Sequence, residues 1–160
     1  MENDEVNLEI AQALATWSET FGLPVIFKGS FDKANRTRFS SARGPGLIEG
    51  LQALARVKEQ TGLRILTDIH ETSQAGPAAE VVDVLQIPAF LSRQTDLLVA
   101  AGSSGNPVIL KKGQWMCKEE VAGAVEKLRS SGASEVAVTE RGTFFGYSNL
   151  VVDMRVFEEI

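Results

Sequence analysis

Short apolar runs recur along the chain, and each of them ends on a polar or charged residue. The runs and the residues that follow them are 24–27 before Lys28, 63–67 before Asp68, 84–85 before Gln86, 108–110 before Lys111 and 136–139 before Glu140. Continuous apolar runs are typical of buried parallel strands. Ligands of α/β folds lie at the carboxyl ends of such strands. The pattern therefore predicts one site to which several strand ends contribute.

Between these runs, apolar residues recur at three- and four-residue steps, which predicts amphipathic helices. The first helix is predicted from Asp4 to about Phe21, with Asn3 or Asp4 as its N-cap. Its apolar residues fall on one stripe that consists of Val6, Ile10, Leu14, Trp17 and Phe21. The second helix is predicted at 47–61, with Leu47, Leu51, Leu54 and Val57 facing inward. The other helices are predicted at 72–82, 94–101 and 118–130.

This alternation of helices with about five strands predicts an α/β fold with a parallel sheet and right-handed crossovers. Two architectures fit the pattern. A doubly wound open sheet is complete at about five strands, whereas a TIM barrel has eight strands and typically ~250 residues. The 160 residues of this chain would form only part of such a barrel. Periodicity alone leaves both architectures open.

The charges are sorted although the composition is that of an ordinary globular domain. The net charge is −5, which disfavours bulk attraction to nucleic acid or to an anionic membrane. Nine of the 16 lysines and arginines nevertheless follow predicted strand ends: Lys28, Lys33, Arg36, Arg38, Arg43, Arg93, Lys111, Lys112 and Arg141. An acidic protein with its cations on one rim is suited to a small anion.

A single cysteine, Cys117, cannot form an internal disulfide, which fits a reducing compartment. We find no signal peptide and no apolar stretch near the ~20 residues that a membrane span needs. We therefore expect a cytoplasmic protein with neither a membrane nor a nucleic-acid partner.

The loop after the first strand carries several groups that bind phosphate. Lys28 and Lys33 offer ammonium charges, Arg36 offers a planar fork and Thr37 offers a hydroxyl. A solvated basic loop is the alternative interpretation. The aromatic run at 144–147 is interpreted as structural packing.

The second and third strands also end on side chains that can transfer protons or bind a ligand. His70, the only histidine, stands near Asp68 and Glu71, whose carboxylates can orient or charge an imidazole. A structural histidine is the alternative, and Asp68 could instead cap the next helix. Gln86 on an apolar strand needs hydrogen-bond partners, which neighbouring backbone could also supply. Arg93 could bind phosphate or lie on the surface.

The last two strands end on adjacent charged pairs. Lys111 and Lys112 must point to opposite faces of an extended chain, so that one of them requires an anion or a carboxylate nearby. Glu140 and Arg141 repeat this arrangement with a guanidinium. The sequence contains no metal-ligand spacing of histidine, cysteine or carboxylates.

Long strings of the sequence resemble those of the 3-deoxy-D-manno-octulosonate 8-phosphate synthase family, also called 2-dehydro-3-deoxyphosphooctonate aldolase, whose members are TIM barrels. The strings run almost from end to end: FKGSFDKANRT, RGPGLIEGL, LTDIHE, VVDVLQIPAFLSRQTDLLVAA, KKGQ and TERGTFFGYSNLVVDMR. The resemblance implies an α/β fold of the TIM (β/α)8-barrel family, here an incomplete barrel of about five parallel strands. It also implies one partial domain over 1–160 that lacks the family's first strand and its C-terminal strands.

The resemblance implies a transferase of lipopolysaccharide precursor biosynthesis. The family condenses phosphoenolpyruvate with arabinose 5-phosphate and releases inorganic phosphate. Residues implied to be catalytic are Lys33, Asp68 and His70. Residues implied to bind substrate are Lys28, Asn35, Arg36, Thr37, Gln86, Arg93, Lys111 and Arg141.

Several of these residues have a more specific implied role. Lys33, Lys111 and Arg141 match residues that hold the phosphate and carboxylate of phosphoenolpyruvate, and 35–37 match the grip on the pentose phosphate. Arg93 matches an arginine that reaches a neighbouring subunit's sugar phosphate, which implies a homo-oligomer. The family's divalent-metal ligands fall in segments outside this chain, so we expect it to carry no cofactor.

Two other functions stay open. The chain could be a non-catalytic remnant that still binds phosphoenolpyruvate or a sugar phosphate. It could also be a related aldol-type synthase that uses erythrose 4-phosphate, although Asn35, Arg36 and the LQIPAFLSRQTD string disfavour this.

Overall fold

The computed structural model describes Met1 and residues 3–158, which group into two compact units. The first unit comprises Met1–Asp68 and Pro77–Val84, and the second comprises Ile69–Gly76 and the chain from Leu85 onward. The α-helices are α1 Asp4–Phe21, α2 Leu47–Thr61, α3 Thr72–Ala79, α4 Thr95–Gly102 and α5 Lys118–Ser130. The strands are β1 Ile26–Lys28, β2 Arg64–Asp68, β3 Val84–Ile87, β4 Val108–Lys111, β5 Val136–Thr139, β6 Thr143–Phe144 and β7 Leu150–Val151. Short 3₁₀ turns occupy Ala89–Leu91 and Met154–Glu158.

The predicted α/β class is confirmed, because every predicted strand is present and every observed pair among β1 to β5 is parallel. In the first unit, β1 pairs with β2, so that Lys28 lies opposite Leu66. In the second unit, β4 pairs on one side with β3 and on the other with β5. Gln86 there lies opposite Ile109, and Lys111 lies opposite Thr139. These registers align the carboxyl ends of neighbouring strands within each unit.

The bounds of α1, α2 and α5 agree with the prediction, and local signals mark both ends of α1, the end of α2 and the start of α5. The Asn3 side chain accepts a hydrogen bond from the Val6 N–H at 2.9 Å, which caps α1. Gly22 and Gly62 end α1 and α2 in the left-handed conformation that glycine adopts without steric cost. At the start of α5, Glu120 accepts a hydrogen bond from the Cys117 N–H at 3.2 Å. The exposed Cys117 therefore serves as a helix cap.

Several other predicted bounds were wrong by one to three residues. β1 begins two residues later than the apolar run, since Pro24 has no N–H to donate to a strand ladder. α3 ends at Ala79 rather than at 82. The backbone turns there, because both the Val81 and the Val82 N–H donate to the Ala78 carbonyl. α4 is shifted by one residue, because Gln94 is its N-cap.

The prediction of burial held for the central elements and failed at the margins. β3 is buried along its length, and in α2 Leu51, Leu54 and Val57 are buried while Leu47 is half-buried. In α1, however, most of the predicted stripe is exposed, and the buried residues are Asn7 and Ala11. Alternate residues of β5 are also exposed. Helical period shows which residues share a face, but not whether another element covers that face.

The aromatic run after β5 was wrongly interpreted as structural packing. Phe144, Phe145 and Tyr147 are all exposed. The segment instead forms a hairpin in which Thr143 of β6 lies opposite Val151 of β7. A two-stranded hairpin offers little surface against which such rings could be buried.

No helix in the part of the chain that the structure describes is long and apolar enough to span a membrane.

Asp83 joins α2 to the start of β2 in the first unit. One of its carboxylate oxygens accepts a hydrogen bond from the Lys58 ammonium at 2.8 Å, and the other accepts one from the Ile65 N–H at 2.8 Å. Burial tends to raise the pKa of Asp83. The hydrogen bonds from Lys58 and Ile65, with the charges of Lys58 and Arg64, outweigh this effect and hold the pKa below its ordinary value of 3.8.

Replacing Asp83 by asparagine should therefore reduce stability at pH 7 and flatten the acid side of the stability profile. A carboxylate whose pKa is lowered by folding stabilises the chain above pH ~4, and its contribution disappears as the pH falls through the folded-state pKa. We expect Asp83→Asn to lower the free energy of unfolding at pH 7 by about 1 kcal/mol. Urea melts of both chains between pH 7 and pH 3 measure this effect. Parallel losses of stability below pH 4 would contradict it.

Candidate functional site

The first cluster of predicted site residues lies where β1 and β2 end. The Lys28 ammonium is 3.3 Å from the Asp68 carboxylate and donates a hydrogen bond to the Ser30 hydroxyl at 2.9 Å. The Ser30 hydroxyl in turn donates to the same Asp68 oxygen at 2.5 Å. Ser30 is buried, whereas Lys28 stays open to solvent. The structure thus brings Lys28 and Asp68 together through a serine that sequence reasoning did not identify.

Buried backbone contacts fix this cluster in place. The Thr67 hydroxyl, which is fully buried, donates to the Gly29 carbonyl at 2.7 Å. A side chain at position 29 would come within 2.9 Å of Leu54 Cδ2, so glycine permits the close approach of the strand end to α2. The geometry of Lys28 and Asp68 therefore depends on packing beneath them.

The long loop after β1 is closed at its base. Phe31 is buried, and its carbonyl accepts a hydrogen bond from the Gly46 N–H at 3.0 Å. Arg43 makes a bidentate ion pair with Asp32, with an Nε–Oδ1 distance of 2.9 Å. The Arg43 carbonyl also accepts a hydrogen bond from the Lys33 N–H at 2.6 Å. The base of the loop is therefore held by the buried ring, the ion pair and backbone hydrogen bonds.

The tip of this loop carries four predicted site residues. Lys33, Asn35 and Thr37 are exposed, and their side chains form no hydrogen bond or ion pair with any residue that the structure describes. Arg36 is half-buried and donates to the Ser41 carbonyl at 3.0 Å. Three of the four side chains are thus available to a ligand. Arg36 would have to give up its hydrogen bond to the Ser41 carbonyl in order to bind one.

The second cluster lies at the strand ends of the second unit. Gln86 is buried on β3, and its carbonyl accepts a hydrogen bond from the Ile69 N–H at 3.1 Å. The next residue, His70, is half-buried, and its N–H donates to the Gln74 side chain at 2.8 Å. Lys111 ends β4 as a half-buried residue. The backbone thus places His70 beside the strand that carries Gln86.

A buried ion pair links the ends of β4 and β5. The Lys112 ammonium is 3.5 Å from the Glu140 carboxylate, and these side chains are only 2% and 5% exposed. The ammonium also donates to the Gly142 carbonyl at 3.1 Å and to the Thr143 hydroxyl at 3.2 Å. The prediction that one of two adjacent lysines requires a carboxylate is confirmed, with Lys112 as that lysine and Glu140 as its partner.

Arg141 follows Glu140 and is half-buried. Its guanidinium makes no hydrogen bond or ion pair with any residue in the described part of the chain. Arg93 differs from it, since its guanidinium is exposed and lies 2.6 Å from Glu120 of the same chain. Of these two arginines, Arg141 is the one whose five donors are open to an anion.

Sequence reasoning missed Ser30, Glu140 as a structural partner, and Gln114. Gln114 is buried, and its side-chain oxygen has no hydrogen-bond partner among the described residues. A serine two residues after a strand end and a glutamine two residues after a lysine pair are weak signals. Both residues stand out only once their burial is known.

Among the described residues, no group of three or more histidine, cysteine, aspartate or glutamate side chains could hold a metal ion. The expected absence of a cofactor stays a prediction.

The comparisons with known proteins agree with one another. Residues 1–160 match the family model described as the DAHP synthetase I family. Three proteins named 2-dehydro-3-deoxyphosphooctonate aldolase are similar over 155 residues, or 97% of this chain. They are 57% identical in Syntrophotalea carbinolica, 54% in Nitratidesulfovibrio vulgaris and 52% in Desulfotalea psychrophila. The aligned part is 56%, 57% and 55% of their lengths, so the chain spans about half the length of these curated relatives.

Proposed function

The chain belongs to the DAHP synthetase I family, and on this premise we propose that it serves the condensation of phosphoenolpyruvate with D-arabinose 5-phosphate. The products are 3-deoxy-D-manno-octulosonate 8-phosphate and inorganic phosphate, which makes the protein a transferase of lipopolysaccharide precursor biosynthesis. The names of relatives that are 52–57% identical to nearly all of this chain support this reaction. One structural observation carries the proposal. Arg141 is half-buried, and its guanidinium has no hydrogen-bond or ion-pair partner among the described residues.

The reaction joins two phosphorylated anions, so its first requirement is an excess of fixed positive charge. C3 of phosphoenolpyruvate attacks the aldehyde carbon of the sugar, water adds at C2, and cleavage of the C–O bond expels phosphate. Cations that hold both substrates offset their repulsion and orient the reacting carbons. We propose Lys111 and Arg141 for the phosphate and carboxylate of phosphoenolpyruvate, together with Lys33 from the loop after β1.

The remaining predicted residues take part through polar contacts and proton transfer. We propose Asn35, Arg36 and Thr37 for the pentose phosphate, because their loop has a fixed base and an open tip. Lys28, Asp68, His70 and Gln86 are proposed to line the pocket for phosphoenolpyruvate. An imidazole or a carboxylate can move a proton to or from a reacting group, which is the role proposed for His70 and Asp68.

Arg93 is proposed to reach the sugar phosphate of a second copy in a homo-oligomer. Its present partner is the half-buried Glu120, and exchange of one partly exposed ion pair for a phosphate contact costs little. A cytoplasmic location is part of the same proposal.

Phosphate release tests this function directly. We expect the purified chain to release inorganic phosphate only when phosphoenolpyruvate and arabinose 5-phosphate are both present, with a product of the mass of an octulosonate 8-phosphate. Erythrose 4-phosphate in place of the pentose is the matched control and should give no release. A thermal shift with phosphoenolpyruvate but no phosphate release would instead support the non-catalytic remnant. Release of phosphate from phosphoenolpyruvate with erythrose 4-phosphate, but not with arabinose 5-phosphate, would support the related synthase.

A further inference from the structure

A gain in stability does not by itself explain the buried ion pair between Lys112 and Glu140. Removing two charges from water is costly, and a well-packed apolar pair of similar size often gives equal or greater stability. The side chains are nevertheless 2% and 5% exposed. The Lys112 ammonium donates to three further oxygens, those of Gly113, Gly142 and Thr143, and Glu140 accepts the Gly142 N–H at 2.5 Å. The Glu140 oxygen nearest the ammonium makes the ion pair but no hydrogen bond with any described residue. The hydrogen bonds with Gly142 and Thr143 are the contacts that restrain the backbone around the pair.

These contacts surround one residue, Arg141. The Lys112 N–H donates to the Thr139 carbonyl at 3.0 Å, which holds the chain before Glu140. The Lys112 ammonium contacts the Gly142 carbonyl, and the Glu140 carboxylate accepts the Gly142 N–H, which holds the chain after Arg141. Farther on, the Phe144 N–H donates to the Gln114 carbonyl at 2.9 Å. The backbone of Arg141 is therefore fixed on both sides by the segment that follows β4.

The residues that flank the pair in sequence, Lys111 and Arg141, are two of the three cations proposed to hold the phosphate and carboxylate of phosphoenolpyruvate. Lys111 directly precedes Lys112 and Arg141 directly follows Glu140, so the contacts of the buried pair act on the backbone of both cations. Arg141 is half-buried without a partner among the described residues, so its orientation is determined by its backbone and not by a carboxylate of its own.

We propose that Lys112 and Glu140 are positioning residues that hold Arg141 and Lys111 in the orientation in which they bind the anionic substrate. This inference rests on the proposed function, because it concerns the same strand ends. The pair does not touch substrate. It acts by restricting the backbone of the two residues that do, and a bidentate contact depends on such orientation.

The double variant Lys112→Met/Glu140→Gln tests the proposal with the full chain. It replaces the ion pair by a neutral pair of similar size, so no unpaired charge is left buried. The dissociation constant of phosphoenolpyruvate is measured by calorimetry, at a temperature where circular dichroism shows every variant to be folded. We expect the double variant to bind about tenfold more weakly than the wild type or worse.

Lys58→Met is the matched control, because it breaks the 2.8 Å ion pair with Asp83 by the same substitution in the other unit. It should lower the melting temperature and leave the dissociation constant within twofold. A second measurement separates positioning from stability. In an Arg141→Gln background, the double substitution should weaken binding by much less than tenfold, because the residue through which it acts is gone.

Each outcome decides the inference. An unchanged dissociation constant in the folded double variant overturns it and leaves the proposed function intact. An equal loss of phosphoenolpyruvate affinity in the wild-type and Arg141→Gln backgrounds also overturns the inference, because the pair would then not act through Arg141. If the double variant does not fold, Lys112→Gln/Glu140→Gln serves in its place, since it also leaves no charge buried, and the same loss of affinity, about tenfold, is expected of it. If wild-type chain binds no phosphoenolpyruvate, both the proposed function and the inference fail.

Discussion

Replacing Gly50 by alanine is expected to destabilise the chain by about 2–3 kcal/mol, although alanine is the better helix former. Gly50 is a buried residue of α2. A Cβ at this position would overlap Phe31 Cβ and lie 3.2 Å from Phe31 Cα. Phe31 is 1% exposed, and its α-carbon belongs to the backbone at the base of the loop after β1. Neither atom is the flexible end of a side chain, so relief of the overlap requires a backbone shift.

Gly123→Ala is the matched control for this substitution. Gly123 also lies within a helix, α5, but a Cβ there meets nothing within 4 Å. Only the gain in helix propensity then remains, and we expect a stabilisation of about 0.5–1 kcal/mol. Urea unfolding of both variants measures the opposite signs. A Gly50→Ala chain at least as stable as the wild type would contradict the close contact between α2 and Phe31.

The Gly50→Ala substitution is also expected to affect ligand binding. Phe31 anchors the loop whose tip carries Lys33, Asn35 and Thr37, so displacement of its backbone moves that tip. Gly50→Ala should therefore weaken binding of the pentose phosphate even at temperatures where the chain stays folded, whereas Gly123→Ala should not. Stability and loop position are coupled at this one contact.

How far the fold could be predicted from the sequence depended on whether the signal was local. The bounds of α1 follow from Asn3 and Gly22, which act on their own helix ends, and they were predicted correctly. The exposure of Trp17 and Phe21 on the same helix depends on what packs against that face, and one sequence pattern cannot supply this. The exposed rings of 144–147 were misinterpreted for the same reason.

The candidate site was predictable as a set of strand ends, but its internal partners were not. Because one of two adjacent lysines is expected to be buried, the pair at 111–112 was predicted to need an anion or a carboxylate nearby. Only the structure shows that Lys112 is the buried lysine, that Glu140 is its partner and that Arg141 has no partner among the described residues. Ser30 was missed because a serine near a strand end is too common to be a signal. The roles of the site residues stay predictions.

Loss of the Arg141 guanidinium is the second large expected effect. Arg141→Gln removes a planar fork that can make two charge-assisted hydrogen bonds to one anion. With about 1.5 kcal/mol for each bond, or about 3 kcal/mol in total, affinity for phosphoenolpyruvate should fall about 100-fold. Arg141→Lys keeps the charge without the fork and should lie between glutamine and the wild type. Calorimetric titration of phosphoenolpyruvate into each folded chain measures the series.

The control for charge is Arg129→Gln, which makes the same change of net charge in the last turn of α5. Arg129 is exposed, so removal of its charge should change affinity by less than twofold. The order of the variants separates two kinds of site. A positive surface that attracts anions without orienting them would respond equally to Arg129→Gln and Arg141→Gln, and would not distinguish lysine from arginine at position 141. A site built on the restrained backbone between Glu140 and Gly142 should respond only at Arg141, and glutamine there should cost more than lysine.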